Sequence, residues 1–162
     1  MPIKSISSNP EELTVTVVGE YPVPVERLWK AYEDPRQLEK FWGPETWPAK
    51  FSKHDMKPGG RSEYVMSGPD GETAGGWWRF LSVDQGRSFE VEDGFSDASG
   101  NPDESMPSMQ MLFTFDETPT GSRMTCVTKF PNIEAMEKVL EMGMMEGMES
   151  ALGQLDAVLQ AA

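Results

Sequence analysis

Apolar and polar positions alternate along most of the chain, and the period of that alternation changes at a few defined points. From Glu12, ELTVTVVGEY is β-branched and alternating, which predicts a first strand. In PVPVERLWKAYEDP the period lengthens: Val25, Leu28, Trp29 and Tyr32 fall at helical spacing, with Pro24 placed for the first turn. Pro35 ends that helix, and PRQLEKFW sets Leu38, Phe41 and Trp42 on one side of a second short one before GPETWP breaks it. Period two returns at Ala49. AKFSKHDM, RSEYVMS, GGWWRFLSVD and RSFEVEDGF read as strands parted by KPGG, PDGE and a tight Gln85–Gly86 turn, and SMQMLFTFDE with SRMTCVTKF as a hairpin around TPTG. Residues 96–107, SDASGNPDESMP, form one long acidic loop, a candidate lid. The remainder, with Asn132 as N-cap after Pro131, predicts a single helix of about 30 residues.

Hairpin-linked strands imply an antiparallel sheet. The element order therefore predicts an α+β fold: a curved sheet of about seven strands around a long C-terminal helix, with two short helices after strand 1. Residues 1–11 read as a flexible arm and 12–162 as a single domain.

Strand alternation sorts the faces. Met109, Met111, Phe113 and Phe115 share one side, as do Met124, Cys126, Thr128 and Phe130 on the partner strand. Tyr64 pairs with Met66, Trp78 with Phe80, and Phe89 with Val91. Trp78 and Phe80 are expected inside, and Trp77 outside near Arg79. The inward set is rich in Met, Phe and Trp, which suits either a loosely filled core or the wall of a ligand cavity. Along the last helix, a projection at ~100° per residue turns Met144, Met148 and Leu152 toward the sheet and Met142 away. Gly147 and Ala151 lie on the same inward face and leave space there.

Composition narrows the function classes. Eight Phe, five Trp and three Tyr in a chain that is 38% hydrophobic argue against disorder. No apolar run reaches the ~18 residues of a membrane span. The single cysteine, Cys126, allows no internal disulfide and fits a cytoplasmic location. A net charge of −13 repels phosphate backbones and anionic lipid surfaces, so neither nucleic acid nor membrane is expected as a partner. Dimerisation is left open.

The stretches RLWKAYEDPRQLEKFWGPETWPAKF, HDMKPGGRSEYVM, PDGE, GGWWRF and EMGMMEGMESALGQLDAVL together resemble the heat-shock-protein-90 ATPase activator homologue family, of the START/Bet v 1-like superfamily. The resemblance runs from about Glu12 to Leu159. It implies a helix-grip fold, in which the sheet holds the C-terminal helix with a cavity between them. Characterised relatives bind hydrophobic small molecules, and a few are cyclases or resistance proteins. This chain has Met148 where the family commonly has Trp, and Ser62 where an aromatic is common; both changes remove bulk from the gap between sheet and helix. It also lacks the extra N-terminal domain of the eukaryotic co-chaperone, so chaperone activation is not expected.

Catalytic signals are sparse. His54, the only histidine, lies in a strand beside Asp55 and away from any nucleophile motif, which predicts an exposed or ion-paired side chain. Cys126 reads as a small buried residue. One His and one Cys without ligand spacing make no metal site, and no cofactor is implied. Glu137 and Glu141 fall within the helix's inward arc: they either stand in solvent, if the helix start projects beyond the sheet, or sit at a cavity mouth.

The sequence thus predicts a domain that binds a small apolar or aromatic molecule. The expected cavity residues are Tyr64, Met66, Trp78, Phe80, Phe89, Met109, Met111, Phe113, Met144, Met148 and Leu152, with Glu137 and Glu141 as candidate mouth acids. The alternatives are a polyketide cyclase- or hydrolase-type enzyme using the same cavity, or an interaction protein for a chaperone or other partner, with a collapsed cavity and an external apolar patch around Trp47 or Trp77.

Overall fold

The computed structural model describes residues 3–97 and 99–160. Eight strands form one antiparallel sheet: β1 (Ile3–Asn9), β2 (Thr14–Tyr21), β3 (Ala49–His54), β4 (Arg61–Ser67), β5 (Thr73–Asp84), β6 (Ser88–Ser96), β7 (Met109–Thr118) and β8 (Gly121–Lys129). Their order is β1-β2-β8-β7-β6-β5-β4-β3, so each strand from β3 to β8 lies beside its sequence neighbour. The count exceeds the expected seven because Ile3–Asn9, anticipated as part of a flexible arm, pairs antiparallel with β2. Its polar sequence IKSISSN carries little apolar alternation, since an edge strand with exposed Ser5, Ser7 and Ser8 needs none.

Two short helices follow β2 as expected. Helix α1 spans Val25–Glu33 and α2 spans Pro35–Leu38, with Pro35 at the start of α2 and the Asp34 carboxylate accepting from the Arg36 N–H at 2.9 Å. Leu28, Trp29, Ala31 and Tyr32 bury one face of α1 in the sheet. Tyr32 meets Phe41, Phe113 and Phe115 with ring centroids 5.2–5.5 Å apart. This aromatic layer fills one half of the sheet's concave face.

The C-terminal segment departs from the expected continuous helix. Helix α3 runs Ile133–Glu141 and α4 runs Met144–Gln160, parted at Met142–Gly143. Gly143 takes φ +88°, the left-handed conformation that ends a helix and that glycine adopts without penalty. Asn132 caps α3 by accepting from the Ala135 N–H at 2.8 Å, as predicted. Gly143 is the joint between the two helices.

Anchoring of α4 is uneven. Its C-terminal half buries Leu152, Leu155 and Leu159, and two of its carbonyls accept bonds from elsewhere: Tyr21 Oη to Leu152 O at 3.2 Å, and an Arg27 guanidinium nitrogen to Val158 O at 3.0 Å. Gln154 Nε2 donates back to Gly43 O at 2.9 Å. Its N-terminal half is only half-buried at Met144, Met145, Gly147 and Met148. No helix among the described residues is long and apolar enough to cross a membrane.

Trp77 lies on the outer face, but its neighbour differs from the one anticipated. Arg61, not Arg79, stacks on it with its guanidinium 5.4 Å from the ring centroid, while Arg79 donates from two guanidinium nitrogens to the single oxygen Oε1 of Glu92 at 2.8 and 3.2 Å. The ring lies across Gly94, where a Cβ would come within 2.5 Å of it. Trp47 packs over Gly68 in the same way, and both tryptophans are half-buried. Neither builds the external apolar patch of the collapsed-cavity alternative.

Candidate functional site

A cavity of about 250 Å³ lies between the sheet and the N-terminal half of α4. Met109, Met111 and Phe113 of β7 form its floor together with Met124 and Cys126 of β8. Tyr64 and Met66 of β4 stand on one side. Met144, Gly147, Met148, Ala151 and Leu152 of α4 roof it. Eight of the eleven expected cavity residues therefore come together: Tyr64, Met66, Met109, Met111, Phe113, Met144, Met148 and Leu152.

Trp78, Phe80 and Phe89 do not line the cavity. They are fully buried core, because the first two helices occupy that half of the concave face. Trp42, just beyond α2, lies edge-on against Trp78 with centroids 4.8 Å apart and takes its place in the wall. Trp29 and Tyr32 of α1 cover Phe89, at 5.9 and 6.0 Å, and His54 covers Phe80 at 5.9 Å. The same argument adds Trp42 to the site. Its signal was legible in the helical spacing of Leu38, Phe41 and Trp42.

Glu137 and Glu141 are exposed and outside the cavity wall. This is the solvent placement, not the cavity-mouth one, and the turn at Gly143 separates the frames of α3 and α4. The break also re-aims Met142, which was expected to point away: it lines the cavity while remaining 55% exposed, so the cavity reaches the surface beside it. Among the described residues of the 96–107 loop, only Ser96 belongs to the sheet, and none lines the cavity. The loop folds back on itself, with the Asp97 carboxylate accepting from the N–H groups of Ser99 and Asn101. The lid expectation is not met.

The residue that sequence reasoning missed outright is Asp93. It follows Phe89 and Val91 at two-residue steps, so the period of β6 turns it inward, and the cavity exposes it. Pairing sets Ser62, Trp78, Asp93 and Met109 in one row across four strands. Tyr64 Oη donates to Asp93 Oδ1 at 3.3 Å. Burial is the main influence on this carboxyl and raises its pKa to about 7, partly offset by the Tyr64 hydroxyl and the Trp78 indole. The Trp78 N–H sits in the carboxylate's field without making a hydrogen bond of its own. Tyr64 in turn is pushed well above the ordinary phenol range by burial and by Asp93.

Two other groups are chemically quiet. Contrary to expectation, His54 is half-buried and hydrogen-bonded at both nitrogens, Nδ1 to Ser62 Oγ at 2.7 Å and Nε2 to Tyr32 O at 2.9 Å. The Tyr32 carbonyl can only accept, so Nε2 carries the proton and Nδ1 accepts from Ser62. Desolvation lowers its pKa. Ser62 is completely buried beside Trp78 and does not line the cavity. Cys126 does face the cavity, but burial pushes its thiol up to about 12, which leaves it protonated and unreactive.

Comparison with known proteins agrees with this architecture. A family model described as activator of Hsp90 ATPase homolog 1-like protein matches residues 22–160. The crystal structure of protein Ms6760 from Mycobacterium smegmatis is 43% identical, with a TM-score of 0.92 over 99% of each chain. The solution structure of a protein from Arthrobacter aurescens is 40% identical, with a TM-score of 0.93 over 98% of this chain and 92% of that one. The crystal structure of the AHSA1 protein from Silicibacter pomeroyi, 21% identical with a TM-score of 0.72 over 91% of this chain and 98% of that one, shows the same fold. Among curated proteins, no sequence matches.

Proposed function

The chain belongs to the activator of Hsp90 ATPase homolog 1-like family, and from that premise we propose that it binds a small apolar or aromatic molecule in the cavity between the sheet and α4. One observation carries the reading. The wall is built of methionines, aromatic rings and small helix residues, and at Gly147 a side chain could be accommodated but none is present: a Cβ there would meet only Pro44, at 3.7 Å. Close-packed cores leave few voids larger than a water molecule, and an apolar void of this size is the environment an apolar ligand fills. Seven methionines in the wall, beside the rings of Trp42, Tyr64, Phe95 and Phe113, let it adapt to the occupant.

Filling the void from the helix side tests this. Gly147→Met places a flexible side chain in the cavity and replaces glycine by a better helix former. Isothermal titration with 2-naphthylmethanol should give one equivalent bound to the wild-type protein and at least about tenfold weaker binding to the variant. Its thermal midpoint should be equal or higher. Undiminished binding to Gly147→Met would remove the cavity as the site.

A further inference from the structure

The cavity has one polar end, and its composition is one-sided. Asp93 and Tyr64 are the ionisable oxygens in the wall, and no lysine, arginine or histidine lines the cavity among the described residues. Asp93 is 9% exposed and accepts from the Tyr64 hydroxyl at 3.3 Å, with the Trp78 indole N–H beside it, which leaves acceptor capacity on the cavity side unused. A carboxylate in such a place calls for a donor, and most strongly for a cation.

The local packing holds Asp93 there. Gly76 lies opposite Tyr64 in the β4–β5 register, and a Cβ on Gly76 would come within 2.3 Å of the phenol ring and its oxygen. The missing side chain lets Tyr64 lie across the sheet and reach the carboxylate. Groups facing Asp93 from the surrounding elements are the Tyr64 phenol from β4, the Trp78 indole from β5, Met109 from β7 and the Cys126 thiol from β8. From α4 the cavity receives Met144, Gly147, Met148, Ala151 and Leu152, none ionisable, while Glu146 and Glu149 are exposed.

Resting on the apolar-cavity reading above, the geometry points to a ligand with an apolar body and a hydrogen-bond-donating head, a protonated amine foremost, seated on Asp93; molecules ending in a carboxylate bind more weakly there. An anionic head would face an unpaired carboxylate with no cation to receive it. A protonated amine meets the opposite case. The acidic chain, at −13, also draws cations toward the mouth.

Three probes with one aromatic body separate the ideas: 2-naphthylmethylamine, 2-naphthylmethanol and 2-naphthoate, titrated calorimetrically at pH 8, where Asp93 is mainly ionised. The amine should bind at least about tenfold tighter than the naphthoate. In Asp93→Asn, which keeps an acceptor for Tyr64, that ratio should fall about tenfold while the alcohol still binds; this variant separates the local carboxylate from the charge of the whole chain. Naphthoate binding as tightly as the amine, or an unchanged ratio in Asp93→Asn, overturns the assignment and leaves the apolar cavity standing. Binding of none of the three overturns both.

Discussion

Tyr64 lies on Gly76: the two residues pair across β4 and β5, and the phenol occupies the space a side chain at position 76 would need. The GGWW motif is thereby explained from two sides. Gly76 clears the inner face for Tyr64, and Gly94, opposite Trp77, clears the outer face for that indole.

Gly76→Ala forces a rigid ring to move and should destabilise the fold by about 1–3 kcal/mol. Urea denaturation measures this directly. Because the ring can no longer hold its hydroxyl at Asp93, the variant should also lose amine selectivity. A midpoint equal to wild type would show that Tyr64 has room to spare.

Asp93 makes stability depend on pH in a defined direction. Its folded-state pKa, about 7, lies above its ordinary value of 3.8, so between those values the folded chain holds a proton that the unfolded chain has released. Stability from this group is complete below about pH 4, falls as pH rises toward 7, and is lost above it. Asp93→Asn removes the effect. Its advantage over wild type in urea midpoint should therefore grow between pH 5 and pH 8, by an energy on the order of 2–4 kcal/mol. An advantage independent of pH would contradict the burial argument.

His54 works in the opposite direction. Its folded-state pKa is lowered by burial, so its contribution is present above the ordinary value of 6.5 and lost as pH falls below it. The single histidine gives one imidazole Hε1 resonance, and its NMR titration midpoint should lie below 6.5. A midpoint above 6.5 would mean that the Asp34, Asp55 and Glu33 charges outweigh desolvation.

Gly143→Ala tests the joint. A non-glycine residue at φ +88° costs about 1–2 kcal/mol, so the variant should be less stable, unlike alanine substitutions within α4. Gly153→Ala is the control: it is exposed, a Cβ there meets nothing within 4 Å, and it should stabilise by up to about 1 kcal/mol.

Much of this was legible in the chain. Period two placed Met109, Met111 and Phe113 inside, and the helical period placed Met144, Met148 and Leu152 opposite them, because each pattern is local to one element. What failed depended on relations between elements. Trp78, Phe80 and Phe89 were correctly read as inward, but strand alternation cannot say which half of a concave face Tyr32 and Trp42 will cover. Glu137 and Glu141 stand in solvent, the first of the two placements the sequence left open, but the break at Gly143 was not legible, because no periodicity reveals its φ. Asp93 was readable by period, yet a carboxylate at an apolar position reads as a mismatch until the cavity beside it is seen.

The central claim is that the space between β7, β8 and the start of α4 is a ligand site. Methyl NMR of the methionines, assigned by single substitution, tests it most directly, with 2-naphthylmethanol as titrant. The account predicts saturable shifts at the ε-methyls of Met109, Met111, Met144 and Met148, which line the cavity, and none at Met56, which packs elsewhere on the core. Shifts absent from the four cavity methyls, or spread equally to Met56, would contradict it.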